Sequence, residues 1–121
     1  MSQFYVDGFV IPIPSGNVEK YREIAEQACR LWIEHGALEY RECIGDDLTV
    51  KDQLSFLTLA GAKPDETVAF AWITYRDRAH RDEVNAKVMA DPRIHAMCKE
   101  GEMPFDCTRM AYGGFKTIVA S

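Results

Sequence analysis

Thr67 to Tyr75 reads TVAFAWITY, an uncharged run of β-branched, aromatic and small apolar residues that is the strongest strand signal in the chain. Both of its alternation phases are apolar: Val68, Phe70 and Trp72 point one way, and Ala69, Ala71, Ile73 and Tyr75 point the other. A half-solvated strand turns polar on its wet side. This one does not, so both of its faces need a cover.

Toward the C-terminus, Asp77 is placed to cap a helix from Arg78 to about Ala90, and Asp91 with Pro92 occupy the N-cap and first position of a short helix that Gly101 ends. Glu102 to Asp106 reads as a loop. Thr108 to Val119, TRMAYGGFKTIV, reads as a closing strand whose Gly113 and Gly114 suggest a bulge or a close backbone approach. Toward the N-terminus lies an insert from Asp47 to Glu66, in which Ser55 caps a short helix carrying Phe56, Leu59 and Ala60 ahead of a Pro64, Asp65, Glu66 turn. Before it, Ala37 to Ile44 alternates, setting Leu38, Tyr40, Glu42 and Ile44 against Glu39, Arg41 and Cys43, as a strand with one wetter face. Asn17 caps a helix with Val18, Tyr21, Ala25, Ala28, Trp32 and His35 on one stripe, and Gly36 stops it. Phe4 to Ile13, FYVDGFVIPI, is the first strand.

Strand, helix, strand, insert, strand, helix, strand is the split βαβ, ferredoxin-like order of an α+β protein, expected here as a single domain over residues 1–121. Right-handed crossovers place both long helices on one face of a four-stranded antiparallel sheet. The first strand repeats the problem of the third, with Tyr5, Phe9, Ile11 and Ile13 against Phe4, Val6 and Val10. Leaving the second face wet would expose on the order of several hundred Å² of apolar surface, at about 25 cal/mol per Å². The expected solution is a two-fold homodimer in which two sheets close on each other. The competing solution is the insert folding over that face.

A net charge of -5 gives no basic field for a phosphate backbone, so nucleic acid is not an expected partner, and neither is an anionic membrane surface. No window reaches the roughly 20 apolar residues that span a bilayer. With no signal-peptide pattern at the start, a cytoplasmic location is expected. Cys29, Cys43, Cys98 and Cys107 form no C-x-x-C pair, and His35, His80 and His95 form no zinc-binding spacing, so neither a disulfide framework nor a metal site is implied locally.

The segments FYVDGFVIPIP, GALEYREC, AFAWITYRDRAHRDEVNAKVMADPR and MPFD with RMAYGGFK together resemble the DUF1428 family of small bacterial proteins over nearly the whole chain. The resemblance implies the fold of the dimeric α+β barrel superfamily, which also holds the antibiotic-biosynthesis monooxygenases, and it brings no established activity and no assigned cofactor. Haem-degrading relatives place an asparagine where the first strand here has Asp7, which speaks against haem.

Two constellations are candidates for chemistry. Trp72, Tyr75, His80 and Asn85 run from the third strand into the second long helix, similar to the strand-Trp, helix-His pattern of oxygenase relatives. His80, Val84 and Val88 at four-residue spacing, with Arg81 and Asn85 in the next row, would give a pocket wall of apolar floor and polar heads. The second is Trp32, His35, Tyr40 and Arg41, with Tyr112 approaching from the last strand, where imidazole and guanidinium could orient a carboxylate or phenolate. Against both stands the plainer reading of packed aromatics and helix-terminal histidines. Glu39 and Glu42 fall on opposite faces and make no acid–base pair by themselves. The expected function is binding of a small organic molecule between sheet and helices, with His80 or His35 moving protons in a cofactor-independent, oxygenase-like reaction. The alternative is a ligand-sensing or stress-associated module without turnover.

Overall fold

In the computed structural model, which describes residues 4–97 and 103–121, strands β1 (Tyr5–Pro14) and β3 (Glu66–Tyr75) pair antiparallel along their whole length, from Tyr5 opposite Tyr75 to Pro14 opposite Glu66. They are the middle of a four-stranded sheet of order β2-β3-β1-β4, flanked by β2 (Glu39–Ile44) and β4 (Ala111–Lys116). Central placement gives β3 a hydrogen-bonded neighbour on each edge, β1 on one side and β2 on the other.

The crossovers carry α1 (Val18–Glu34) and, after β3, α3 (Arg78–Ala90) with the short α4 (Pro92–Met97). All three pack on the sheet face formed by Tyr5, Asp7, Phe9, Ile11 and Ile13 with Ala69, Ala71, Ile73 and Tyr75. One apolar cluster joins Leu31, Ile73, Tyr75, Val84, Val88 and Ile94; the other joins Ile11, Ile13, Tyr21, Ala25 and Ala69. Asn17, expected to cap α1, does not: its amide donates instead to the Pro104 carbonyl at 2.9 Å, and a 3₁₀ turn over Ser15–Asn17 leads into the helix. Two other helix starts are set by local signals as the sequence predicts. Asp77 accepts from the His80 N–H at 2.8 Å, and Ser55 accepts from the Leu57 N–H at 3.0 Å to start α2 (Phe56–Leu59). Gly36, at φ +116°, makes the turn out of α1 that a residue with a Cβ enters only under strain.

The last strand is shorter than its sequence suggests. Thr108 belongs to a 3₁₀ turn over Cys107–Arg109, where Asp106 accepts from both its N–H and its hydroxyl, and Ile118 and Val119 lie beyond the pairing. Gly113 and Gly114 form no bulge: the register runs unbroken through Gly8 opposite Gly113 and Asp7 opposite Gly114. They serve close approach by side chains instead. A methyl group at 114 would overlap the Tyr5 hydroxyl, and the Phe115 ring lies over Gly8. The predicted end of α4 at Gly101 lies outside the described residues.

Among the described residues no helix covers the opposite face. Val6, Gly8, Val10, Phe70, Trp72 and Phe115 line an open hollow of about 790 Å³ there, with Phe70 44% and Phe115 61% exposed. The insert reaches only its corner, where Phe56 meets the Phe70 ring edge-on at 6.0 Å. It seals Val68, 2% exposed, and leaves the rest bare.

Candidate ligand-binding site

Strand β2 lies at the sheet edge, and its helix-facing phase is Tyr40, Glu42 and Ile44. Glu42 is thus a carboxylate in a row of apolar positions. Above it α1 presents Tyr21, Ala25 and Cys29, one helical turn apart. The Tyr21 hydroxyl donates to Glu42 Oε1 at 2.5 Å and the Tyr40 hydroxyl to Oε2 at 2.7 Å. Burial pushes the Glu42 carboxyl above the usual carboxylate range, with the two phenol hydrogen bonds pulling the other way. Both phenols are pushed far up, first by burial and then by the Glu42 charge, so they remain protonated donors. Burial and the same charge raise the Cys29 thiol.

Glu42 stands between two spaces. Outward, a groove of about 360 Å³ runs between α1 and β2, past Val18, Ala25, Cys29 and Ile44. Inward, a cavity of about 160 Å³ opens between sheet and helices, walled by Phe9, Trp32, Ile73, Ile94, Met97 and Phe105. Tyr21, Ala25, Tyr40 and Glu42 line both. The cavity wall is otherwise apolar among the described residues. The Trp32 indole N–H is turned away, donating to Asn85 Oδ1 at 3.0 Å.

A second polar cluster lies under α3. Asp7, 1% exposed, takes the Asn85 amide at 3.4 Å and faces Arg81 Nε at 3.7 Å, an ion pair too long for a hydrogen bond. Arg81 donates to the hydroxyls of Tyr5 (2.9 Å) and Tyr112 (3.0 Å), and Tyr75 donates to Asn85 at 3.2 Å. Burial raises the Asp7 carboxyl, against the pull of Arg81 and Asn85.

The predicted site residues divide among five places. Trp32 and Tyr40 do meet, with ring centres 6.2 Å apart at the cavity. Asn85 and Tyr112 belong to the Asp7 cluster. Trp72 is corrected: it lies on the bare face, across the sheet from His80 and Asn85, because it occupies the other pleat phase from Ile73 and Tyr75. There it donates to Glu39 at 2.8 Å with the Arg41 guanidinium 5.7 Å above its ring, so Arg41 is parted from Tyr40 for the same reason. The His80 ring lines neither the groove nor the cavity. It packs on Tyr75 and accepts the Arg76 N–H at 3.0 Å, tying the end of β3 to the start of α3. His35 closes α1 onto Asp91 at 2.9 Å. Glu34, His35 and Asp91 gather donor atoms within 4.8 Å of one another. Arg93 bonds both carboxylates and already supplies the positive charge there.

Glu42, Tyr21 and Asp7 are not candidates from sequence, and Arg81 enters there only as a polar head of the α3 wall. The signal was present for two of them: a lone acid on the apolar phase of a strand, between Tyr40 and Ile44 or between Tyr5 and Phe9.

The sheet order and one-sided helices define a ferredoxin-like α+β protein with the fold of the dimeric α+β barrels. The crystal structure of a NIPSNAP family protein of unknown function from Agrobacterium tumefaciens is similar, with a TM-score of 0.58 at 14% identity over 95% of this chain and 87% of that one. Residues 4–107 match the model of the family described as "Protein of unknown function (DUF1428)". The chain belongs to that family. It is 43% identical over 115 residues to the uncharacterised protein YbaA of Escherichia coli K12, covering 95% of this chain and 97% of that protein, and equally to YbaA of Shigella flexneri.

Proposed function

We propose that the chain binds a small organic molecule between α1 and the sheet, with Glu42 as its polar anchor. One observation carries this reading: a half-buried carboxylate, fixed by Tyr21 and Tyr40, is the shared wall of an outer groove and an inner apolar cavity. A few convergent polar groups on an apolar enclosure are what fix a ligand's orientation. A carboxyl whose pKa is raised by burial is also suited to accept a proton, so any turnover runs through Glu42 rather than His80 or His35. A sensing module would use the same pocket without turnover. The test is a thermal-shift screen of small aromatic compounds on the wild type and on Ala28→Leu, which fills the cavity from α1. Stabilisation by several compounds that Ala28→Leu abolishes is expected; stabilisation that survives Ala28→Leu overturns the site.

We infer further that two copies pair through the bare sheet face. The exposed Phe70 and Phe115 around an apolar hollow of about 790 Å³ support it, since an uncovered patch of this kind marks an interaction surface. Sedimentation equilibrium should give a dimer for the wild type and a folded monomer for Phe115→Asp. A wild-type monomer at micromolar concentration refutes the pairing.

A further inference from the structure

Resting on the small-molecule reading above, we propose that the inner cavity takes a single six-membered aromatic ring bearing a hydroxyl group, with the ring between Phe9, Trp32 and Ile73 and the hydroxyl donating to the Glu42 carboxylate. Size comes first. A dry cavity of roughly 150 Å³ lined by apolar side chains holds one benzene, and this one measures about 160 Å³. A two-ring compound would have to extend into the groove.

Polarity fixes the substituent. Among the described lining residues Glu42 is the single charged group, and the hydroxyls of Tyr21 and Tyr40 are already spent donating to its two oxygens. An ionised carboxylate offers about four acceptor sites, so the free ones accept and nothing in the wall donates. A ligand carboxylate or phosphate would meet a like charge. Trp32, the other polar side chain of the wall, spends its N–H on Asn85 outside the cavity. One donor on an otherwise apolar ring is therefore the complement, and a neutral phenol loses far less hydration on entry than an ammonium ion. The groove adjoins the cavity at Glu42, with Ala25 and Tyr40 lining both.

The experiment is calorimetric titration of the full chain with p-cresol and with toluene, which differ by the hydroxyl alone. The wild type should bind p-cresol at least about ten-fold more tightly than toluene. In Glu42→Gln that preference should shrink to about two-fold while toluene binding persists, and in Ala28→Leu both ligands should be lost. Equal binding of the two ligands by the wild type overturns the phenol assignment and leaves the cavity reading standing. Binding of neither removes both. A p-cresol preference undiminished in Glu42→Gln places the hydroxyl elsewhere and also defeats the proposal. The wild-type comparison decides the point even where the variant does not fold.

Discussion

Glu42 costs the fold something at neutral pH. Its pKa in the folded chain is raised from the ordinary 4.5, so its contribution is fully favourable below that value and is lost as pH rises through the folded value. Glu42→Gln removes the titration. Its stability relative to wild type should therefore climb as pH rises from 4.5 toward neutrality; urea melts of both proteins across that range measure it, and parallel curves would contradict the burial argument. Asp7 gives a second test at this scale. Arg81→Met strands a buried carboxylate and should cost about 3 kcal/mol, most of it recovered when Asp7→Asn is already present. A double-mutant cycle with no coupling would show that the 3.7 Å pair is incidental. Both acids were legible as oddities, polar residues on apolar strand phases. Their partners were not, because Tyr21 reaches Glu42 from another element and Arg81 reaches Asp7 across 74 positions of chain that only the crossover brings together.

Elements were read best where a local hydrogen bond sets the boundary. Ser55 and Asp77 begin α2 and α3 where a short polar side chain before an apolar stripe says they should. The closing strand is shorter than its composition suggests: past Lys116 it runs beyond the start of β1 at Tyr5, whereas before Ala111 it leaves β1 although Ile11 to Pro14 continue there. What fixes the start of that strand is an ion pair: Arg109 reaches back to Glu66 through two bonds of 2.8 Å. The Arg109 guanidinium holds the Glu66 carboxyl down at about 2. Its stabilisation is present above 4.5 and is lost as pH falls through about 2. The advantage of wild type over Glu66→Gln should thus vanish across that acid window in circular-dichroism melts, and an advantage that persists below it would refute the pairing as its source. At the other turn, Gly36→Ala should destabilise by about 1–2 kcal/mol, since its φ of +116° is hostile to a Cβ.

At the scale of the molecule, the sheet is apolar on both sides and the chain supplies one layer of helices. That much followed from TVAFAWITY and FYVDGFVIPI alone. The site did not, since a sequence shows which residues share a phase but not which phase the helices choose. Trp72, on the phase opposite Ile73 and Tyr75, falls on the side away from the helices. Dimerisation makes a thermodynamic demand that a monomer does not: the melting temperature should rise with protein concentration, and a midpoint constant from micromolar to hundreds of micromolar would count against it.

The sheet separates the chain's two indoles, Trp32 beside the inner cavity and Trp72 on the bare face. Each is a built-in optical probe of a different event. With Trp72→Phe, emission should quench or shift on adding a phenol and stay silent on dilution; with Trp32→Phe, the reverse. One fluorimeter and two single-tryptophan proteins can therefore follow occupancy and self-association independently.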